Sequence, residues 1–433
     1  MSERALLAEL HRAALDAVHA GRALERALAQ DDLGAGPFVL LAAGKAACAM
    51  AEAAQRALGP RVARGAVTTK DGHARPLAQL AVREAEHPLP DARGEAAARE
   101  ALALAESLGP REELVVLLSG GASALWCAPA PGISLGDKRC TTELLLRSGA
   151  EIHELNTVRR HLSALKGGGL ARAARGRSIH GFGVSDVRGD ALEDLGSGPV
   201  SADPTRFADA LEVLRAQALL TEVPSAVRAR LERGSAGELP ETLKTGAPAL
   251  ARASLRVIAS LDVALRAAQR AAETRGLRTR VLRDALYGQV DSVARALAAA
   301  ARVARADGVD LLIAGGEPTV VVRGAGRGGR AQELAVRLAL ALQGERDFSA
   351  LCAGSDGSDG ATSAAGAFGD ATSLARAAAL GLDARAHLAR SDSHPLLAAL
   401  GDLYVTGPTE TNVADLALVL VRPTRAASTM PGE

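Results

Sequence analysis

The chain has 433 residues, of which 48% are hydrophobic, 23% charged and 2% aromatic. Its 51 basic and 50 acidic residues leave a net charge of +1, without the basic excess that a general nucleic-acid binder shows. The few aromatic residues also exclude a base-stacking platform, and the apolar content excludes a disordered chain.

Neither a membrane span nor a secretory signal is predicted. The most apolar stretch, residues 291–314, carries charges such as Asp291 and Asp310, whereas a span needs about 20 apolar residues. Glu3 and Glu9 interrupt the N-terminal segment, where a signal peptide would be apolar. The cysteines at positions 48, 127, 140 and 352 form no CxxC pair. We therefore expect a reduced cytoplasmic enzyme without nucleic-acid or membrane partners, either a monomer or a homodimer.

Predicted helices and strands alternate from the N-terminus onward. An amphipathic helix over residues 2–30 precedes a buried strand over 37–42 and an Ala-rich helix that ends near Leu58. Further strands are predicted over residues 65–68, 114–118 and 179–184, separated by helical segments over 91–108 and 141–146. This alternation is typical of βαβ units with a mostly parallel sheet.

A change in composition over residues 221–250 predicts a domain boundary. Pro224, Pro240 and Pro248 punctuate short helices there, and strand–helix alternation then resumes as far as a last strand over 417–421, with a hairpin-like segment at 319–323. We predict an α/β protein of two lobes with a cleft between them. A Rossmann-like, mostly parallel domain would span residues 1–245, and a smaller C-terminal α/β domain would span 246–433.

Glycine-rich polar loops follow several predicted strands, at the edge of the sheet where α/β proteins bind ligands. Gly44 and Lys45 precede a helix, so backbone N–H groups and a point charge could bind phosphate there. A surface lysine at a helix start is the alternative, and no Walker A spacing exists in the chain. The loop from Ser119 to Ser123 predicts a phosphate cradle, with a plain tight turn or a Ser123 nucleophile as alternatives.

Two further segments carry polar side chains at informative spacing. Asn156, Arg159, Ser163 and Lys166 step by three or four, which predicts one stripe of a helix that runs into the glycines at 167–169. A solvated helix face is the alternative. Asp186 follows the strand over 179–184, and a carboxylate at such a position is a candidate Mg²⁺ ligand or general base.

A dinucleotide fingerprint also occurs in the second half of the chain. Gly324, Gly326 and Gly329 spell GxGxxG, which would indicate an oxidoreductase. The acid expected about 20 residues further on is missing, since Asp356 comes late. Asp356 and the aspartate three residues later could bind Mg²⁺ or simply close their loop.

Taken in order, these loops resemble those of the ATP-dependent glycerate 2-kinases over roughly residues 40–416. The segments that carry the resemblance are Ala43–Ala46, Thr69–His73, Glu86–Pro90, Ser119–Leu125, Asn156–Arg159, Lys166–Gly168, Ser185–Val187, Gly196–Val200, Gly315–Val320, Gly328–Arg330, Gly357–Gly360 and Gly407–Val413. The sequence departs from the family pattern at Gln289, Ala331 and Ser391. Those departures put substrate preference in doubt rather than the type of reaction.

The resemblance implies transfer of the ATP γ-phosphoryl group to the 2-hydroxyl of D-glycerate, with Mg²⁺ or another divalent cation. Lys45 and Arg330 would act on the transferring phosphoryl group, and Asp186 would ligate metal or accept the hydroxyl proton. Residues implied in substrate or phosphate binding are Ser119, Gly120, Gly121, Ser123, Asn156, Arg159, Lys166, Glu317 and Asp356. Glu317 and Asp356 are the second choices for the acid, and Asp356 is also a candidate metal ligand. The alternatives are an NAD(P)H-dependent hydroxypyruvate reductase and a non-catalytic anion-binding regulator.

Overall fold

The computed structural model describes residues 2–31 and 33–421. Its helices are α1 (Glu3–Ala17), α2 (Ala20–Gln30), α3 (Ala47–Leu58), α4 (Ala92–Glu106), α5 (Ala122–Leu125), α6 (Leu135–Ser148), α7 (Ile152–His161), α8 (Gly169–Ala173), α9 (Phe207–Ala216), α10 (Ser225–Ser235), α11 (Leu261–Glu273), α12 (Val290–Ala306), α13 (Arg330–Ala341), α14 (Ser373–Ala379), α15 (Ala384–Ala389) and α16 (Ser393–Leu400). Its strands are β1 (Phe38–Ala43), β2 (Val62–Lys70), β3 (Leu80–Ala85), β4 (Glu113–Leu118), β5 (Ile179–Val184), β6 (Ala253–Ala259), β7 (Thr279–Leu282), β8 (Gly288–Gln289), β9 (Leu311–Gly316), β10 (Pro318–Thr319), β11 (Phe348–Gly354), β12 (Gly366–Asp370), β13 (Leu403–Tyr404) and β14 (Asp415–Val421). Among these helices, none has both the length and the apolar character that crossing a bilayer requires.

The chain forms two compact units whose limits differ from the predicted domain limits in two places. One unit is Ala20–Ala259, and the other joins the first nineteen residues to the part of the chain that begins at Ser260. Strand β6 lies beyond the predicted boundary at 245, yet it pairs with β5 and completes the first unit's sheet. Helix α1 belongs to the second unit, so the helix predicted over residues 2–30 is two helices, interrupted at Val18–His19.

The first unit contains a six-stranded sheet in the order β3-β2-β1-β4-β5-β6, with every pair parallel. All six residues of β1 are buried, because a parallel sheet covered by helices on both faces tolerates continuous apolar runs. The predicted Rossmann-like parallel sheet is therefore confirmed. The strand order reverses between β1 and β4, which are neighbours in the sheet but distant in sequence.

The second unit contains a mixed sheet in the order β13-β12-β11-β14-β9-β7. Strands β9 and β11 run in the same direction, because each is antiparallel to β14 between them. Helix α1 contributes Leu7, Leu10 and Ala14 to this unit's interior, and Arg4 forms ion pairs with Asp370 and Asp402. The hairpin predicted at 319–323 is wrong, since β10 is a two-residue strand that pairs in parallel with β8.

Candidate active site

The first candidate region lies where the strand order of the parallel sheet reverses. Lys45 follows β1 and Ser119 follows β4, so both lie at the carboxyl edge of the sheet, at its switch point. Doubly wound α/β proteins bind ligands in the crevice that opens at this position. The two loops that sequence analysis singled out separately are thus neighbours in the structure.

Backbone hydrogen bonds hold the Lys45 loop against the Ser119 loop. The Lys45 amide donates to Gly120 O (2.9 Å), the Ala46 amide donates to Ser119 Oγ (3.1 Å), and the Ser119 amide donates to Ala43 O (3.0 Å). Gly44 has φ +130°, and a Cβ built on it would lie 2.1 Å from Ser119 Oγ. Only glycine fits at this position. Gly44 therefore permits the close contact with the Ser119 loop that positions the next residue, the half-buried Lys45.

His87 joins this region, although sequence reasoning did not select it as a site residue. Gly121 adopts φ +88°, and a Cβ on it would lie 3.0 Å from His87 Cδ2 and 3.6 Å from Lys45 Cγ. The imidazole, the lysine stem and the glycine are therefore adjacent. The segment Glu86–Pro90 carried part of the family resemblance, which is the signal that could have identified His87.

Asp186 shares the same edge of the sheet. It follows β5, the neighbour of β4, and its side chain is partly buried. The Ser185 amide donates to Ala259 O (2.8 Å), and the Val187 amide donates to Ser185 Oγ (3.2 Å), so the backbone on either side of Asp186 is held. Lys45, the Ser119 loop and Asp186 thus follow three adjacent strands, β1, β4 and β5.

Ser123 and Asn156 belong to one buried polar network. Ser123 Oγ lies 2.8 Å from Ser197 Oγ, and Ser197 Oγ donates to Asn156 Oδ1 (3.2 Å). Asn156 Nδ2 donates to Asp194 Oδ1 (3.0 Å). Ser197 adopts φ +61°, an unusual conformation for a residue with a side chain, and its hydroxyl bonds hold it there. Among the described residues, Ser123 Oγ bonds Ser197 Oγ and Lys166 Nζ rather than an imidazole, so the geometry does not favour a serine nucleophile activated by histidine.

The predicted helical stripe from Asn156 to Lys166 is wrong. Helix α7 ends at His161, so only Asn156 and Arg159 of that set lie on it. Ser163 turns away instead, and its Oγ donates to Ala128 O (3.1 Å) while it accepts from the Lys166 amide (3.2 Å). The local hydrogen bonds of Ser163 therefore replace further helical turns.

Lys166 nevertheless contacts the polar network that contains Ser123 and Asn156. Its side chain is 2% exposed, and Nζ donates to Ser123 O (2.8 Å), Ser123 Oγ (3.0 Å) and Gly196 O (3.3 Å). Those acceptors are uncharged, and burial lowers the pKa of Lys166 well below its usual value. Lys138 and Arg159 also act on Lys166 as like charges, and we call Lys138, Arg159 and Lys166 the cation cluster.

The second candidate region lies in the second unit, around Arg330. This residue begins α13, and its guanidinium donates from Nε to Asp415 Oδ2 (2.6 Å) and from Nη2 to Asp415 Oδ1 (3.1 Å). Nη1 donates to Glu317. Burial disfavours the charge of Arg330, but Asp415 and Glu317 outweigh burial and raise its pKa. Asp415 was not selected from the sequence; its only signal was a carboxylate at the start of an apolar strand.

The glycines of the GxGxxG segment pack against other residues of the second unit. Asp359 caps α13, because its carboxylate accepts from the Ala331 amide (3.1 Å) and the Gln332 amide (2.8 Å). A Cβ on Gly329 would lie 2.3 Å from Asp359 Oδ1, and one on Gly326 would lie 2.3 Å from Arg390 O. These glycines therefore permit close chain packing, and the helix N-terminus that would receive a pyrophosphate is already capped by a carboxylate.

Asp356 closes a turn of its own. Its Oδ1 accepts from the Ser358 amide (3.0 Å) and from Ser358 Oγ (3.1 Å). Within residues 2–31 and 33–421, no group of three or more His, Cys, Asp and Glu side chains is arranged to hold a metal ion. The metal roles of Asp186 and Asp356 therefore stay predictions.

The fold and these loops define a two-unit α/β protein with glycine-rich loops and a lysine at the carboxyl edge of its parallel sheet. Comparison with known families identifies two matching family models. Residues 6–232 match the domain of unknown function DUF4147, and residues 310–415 match the MOFRL family.

Relatives of known name cover most of the chain. It is 38% identical to glycerate 2-kinase of Pyrococcus horikoshii over 90% of this chain and 88% of that protein. It is 41% identical to a putative hydroxypyruvate reductase of Agrobacterium vitis, over 89% and 87% of the two chains. The crystal structure of glycerate kinase from Thermotoga maritima matches with a TM-score of 0.85 and 34% identity, covering 96% of this chain and 98% of that one. The chain belongs to the glycerate 2-kinase family.

Proposed function

We propose that the protein transfers the γ-phosphoryl group of Mg²⁺·ATP to the 2-hydroxyl of D-glycerate, giving 2-phospho-D-glycerate. The observation that carries the proposal is the interlocked pair of loops at the switch point, which fixes a lysine at the ligand-binding edge of a parallel sheet. This edge belongs to a chain that resembles glycerate 2-kinases along most of its length.

Phosphoryl transfer depends on positioning and on neutralising charge that spreads over the moving group. Lys45 supplies one positive charge, and its position is set by backbone bonds rather than by a mobile loop. In this proposal, Gly120 and Gly121 offer close approach to the nucleotide phosphates, while Ser119 and Ser123 hold the loop itself.

Arg330 supplies the second charge. A guanidinium held in a fork by Asp415 is oriented before substrate binds, so little side-chain entropy is lost when it contacts the phosphoryl oxygens. Glu317 acts in this proposal through Arg330, as a second anchor of the guanidinium.

Asp186 fits a magnesium ion that arrives with the nucleotide. Mg²⁺ is usually bound by one or two carboxylates together with substrate phosphates and water, rather than by an all-protein cage. One partly buried carboxylate beside the phosphate loops meets that need, and it could equally accept the hydroxyl proton. Asp356 is the second choice for either role.

The test is a product assay on the purified protein with Mg²⁺·ATP and D-glycerate. We expect ADP formation, with a product that enolase converts directly, because enolase acts on 2-phosphoglycerate and not on the 3-phosphate. Hydroxypyruvate with NADPH is the control, in which we expect no oxidation of the nicotinamide. NADPH oxidation without ADP formation would reverse the assignment in favour of the reductase. Cytoplasmic location and the monomer or homodimer state stay predictions.

A further inference from the structure

The first unit contains a cavity of about 670 Å³ beside helix α10. Small-molecule sites in proteins typically have volumes of about 300–1,000 Å³, so the cavity is large enough for a metabolite. Helix α10 lines it with Ala226, Ala229, Arg230 and Arg233, whose spacing places them on one face of the helix. The alanines leave space there, and the arginines bring guanidinium groups to the wall.

The most buried part of the wall comes from the end of α7 and the segment after it. Arg160, His161 and Lys166 line the cavity and are each at most 3% exposed. Arg160 Nε lies 3.0 Å from Asp203 Oδ1. His161 Nε2 lies 3.4 Å from Glu241 Oε2. Arg160 and His161 therefore face carboxylates that do not themselves line the cavity.

Two guanidinium groups of the wall have no carboxylate partner in the described part of the chain. Arg172 Nη2 donates to Glu241 O (2.6 Å), and Arg230 donates from Nε to His161 O (2.9 Å) and from Nη1 to Pro131 O (3.5 Å). These acceptors are backbone carbonyl oxygens, which satisfy a hydrogen bond without neutralising a charge. Burial lowers the pKa of Arg230, but an arginine keeps its proton in a protein. No Asp or Glu is among the described residues that line the cavity, so its wall carries unneutralised positive charge.

The rest of the wall is apolar or weakly charged. Phe207, Leu239 and Pro240 line the cavity, and the Arg230 guanidinium lies over the Phe207 ring, 5.7 Å from its centroid. Arg233 pairs with Glu238, but both side chains are more than half exposed, so solvent screens that pair. A ligand that suits this wall has an anionic group and a small apolar body.

We propose that this cavity binds a small organic phosphate ester, whose phosphate is held by Arg172 and Arg230 and whose organic part packs against Phe207 and Leu239. A phosphate monoester carries about −1.5 to −2 charges at pH 7, which two guanidinium groups balance. A carboxylate would neutralise only one of them. Guanidinium groups also match phosphate oxygens in bidentate hydrogen bonds.

The cavity is separate from the candidate site at the switch point. Its lining includes neither Lys45 nor Asp186, nor any residue of 119–123. The two regions meet at Lys166, which lines the cavity and donates from Nζ to Ser123 Oγ (3.0 Å). The inference concerns binding alone, so it does not depend on the proposed kinase function.

The test is isothermal titration calorimetry of the purified protein with phenyl phosphate, a probe that joins one phosphate to one apolar ring. We expect one equivalent to bind to the wild type. Arg172→Met and Arg230→Met should each raise Kd at least about 10-fold, the effect of losing a charge-assisted hydrogen bond. Benzoate, which presents a carboxylate on the same ring, should bind at least about 10-fold more weakly than phenyl phosphate.

Two control variants locate the binding. Arg228→Met removes an arginine of the same helix that does not line the cavity and whose side chain bonds no described residue, so Kd should stay unchanged. Lys45→Ala removes the cation at the switch point and should also leave Kd unchanged.

Thermal unfolding supplies a second readout. Saturating phenyl phosphate should raise Tm of the wild type and of Arg228→Met, because a ligand stabilises the state that binds it, but not Tm of Arg230→Met. The ligand-free melts show whether each variant folds. If Arg230→Met does not fold, Arg172→Met carries the test, since Arg172 is exposed and its side chain bonds only one carbonyl oxygen.

The remaining outcomes all count against the proposal. A wild type that does not bind phenyl phosphate would overturn it, and so would an equal Kd in Arg172→Met, Arg230→Met and Arg228→Met. Benzoate binding as tight as that of phenyl phosphate would make the cavity a carboxylate site instead. Loss of binding in Lys45→Ala would place the phosphate at the switch point. Failure of the kinase proposal is recognised separately, as a lack of ADP formation.

Discussion

Arg330→Ala should destabilise the second unit as well as abolish activity. The side chain of Asp415 is 4% exposed, and both of its carboxylate oxygens accept from Arg330. Removing the guanidinium leaves that carboxylate buried and unpaired, which costs about 3–5 kcal/mol. Glu317 is 44% exposed, so solvent screens its loss and we add nothing for it. For a unit of this size we expect Tm to fall by about 10 °C.

A second substitution separates stability from catalysis. In Arg330→Ala/Asp415→Asn the buried acid becomes a neutral amide, so most of the lost stability should return. Turnover should stay about 10³-fold below the wild type, because the cation proposed to act on the phosphoryl group is still missing. Arg295→Ala is the control, since its ion pair with Asp291 is exposed and contributes little.

The assays are thermal unfolding followed by circular dichroism and steady-state ADP formation with D-glycerate. If Arg330→Ala melts with the wild type, the reasoning about the buried pair is wrong. If the double variant recovers both stability and turnover, Arg330 is an ion-pair residue and has no part in the reaction.

Three further predictions follow from the same structure. Lys45→Ala should keep Tm and lose about 10³-fold in turnover, measured as ADP formation, and wild-type turnover would remove Lys45 from the mechanism. Gly44→Ala should displace Ser119 and lower turnover at least about 10-fold. Gly176→Ala is the control, because this glycine has φ +76° and open space around it, so its substitution should lower stability without lowering turnover. Equal losses of turnover in the two variants would contradict the packing argument. Burial lowers the pKa of His11 to about 4, below its unfolded value, so the unfolded state binds more protons and stability falls as pH drops from about 6.5 to 4. Between pH 7 and pH 4, urea unfolding should show a loss of stability in the wild type that exceeds the loss in His11→Gln by about 3 kcal/mol, and equal losses in the two proteins would refute it.

The parallel sheet could be predicted because its strands are short, continuous apolar runs. The strand predicted over residues 179–184 is β5 itself. The one predicted over 37–42 is shifted from β1 by one residue at each end, and the one predicted over 114–118 lacks only the first residue of β4. Runs of this kind identify strands that helices cover on both faces. Their order in the sheet, which makes neighbours of the Lys45 and Ser119 loops, comes from tertiary packing.

The residues missed in the candidate site share a different property. Asp415 pairs with Arg330 across 85 positions of sequence, and nothing local marks such a partner. Lys138 occupies a helix position where a lysine is normally solvated, so only the burial seen in the structure reveals it. The prediction of one helical stripe from Asn156 to Lys166 was wrong for a similar reason: Ser163 Oγ bonds Ala128 O, a partner distant in sequence.

The position of helix α1 affects how the protein is made. On the ribosome, α1 emerges before the other described elements, but the strands and helices that bury Leu7 and Leu10 follow only after the whole of Ala20–Ala259 has been synthesised. During that interval the parallel-sheet unit can fold while α1 keeps its apolar face exposed. A nascent chain halted far enough beyond Ala259 to free β6 from the ribosome would therefore be cut by protease within α1 and protected over the parallel-sheet unit, and α1 would be a target for chaperones until translation ends.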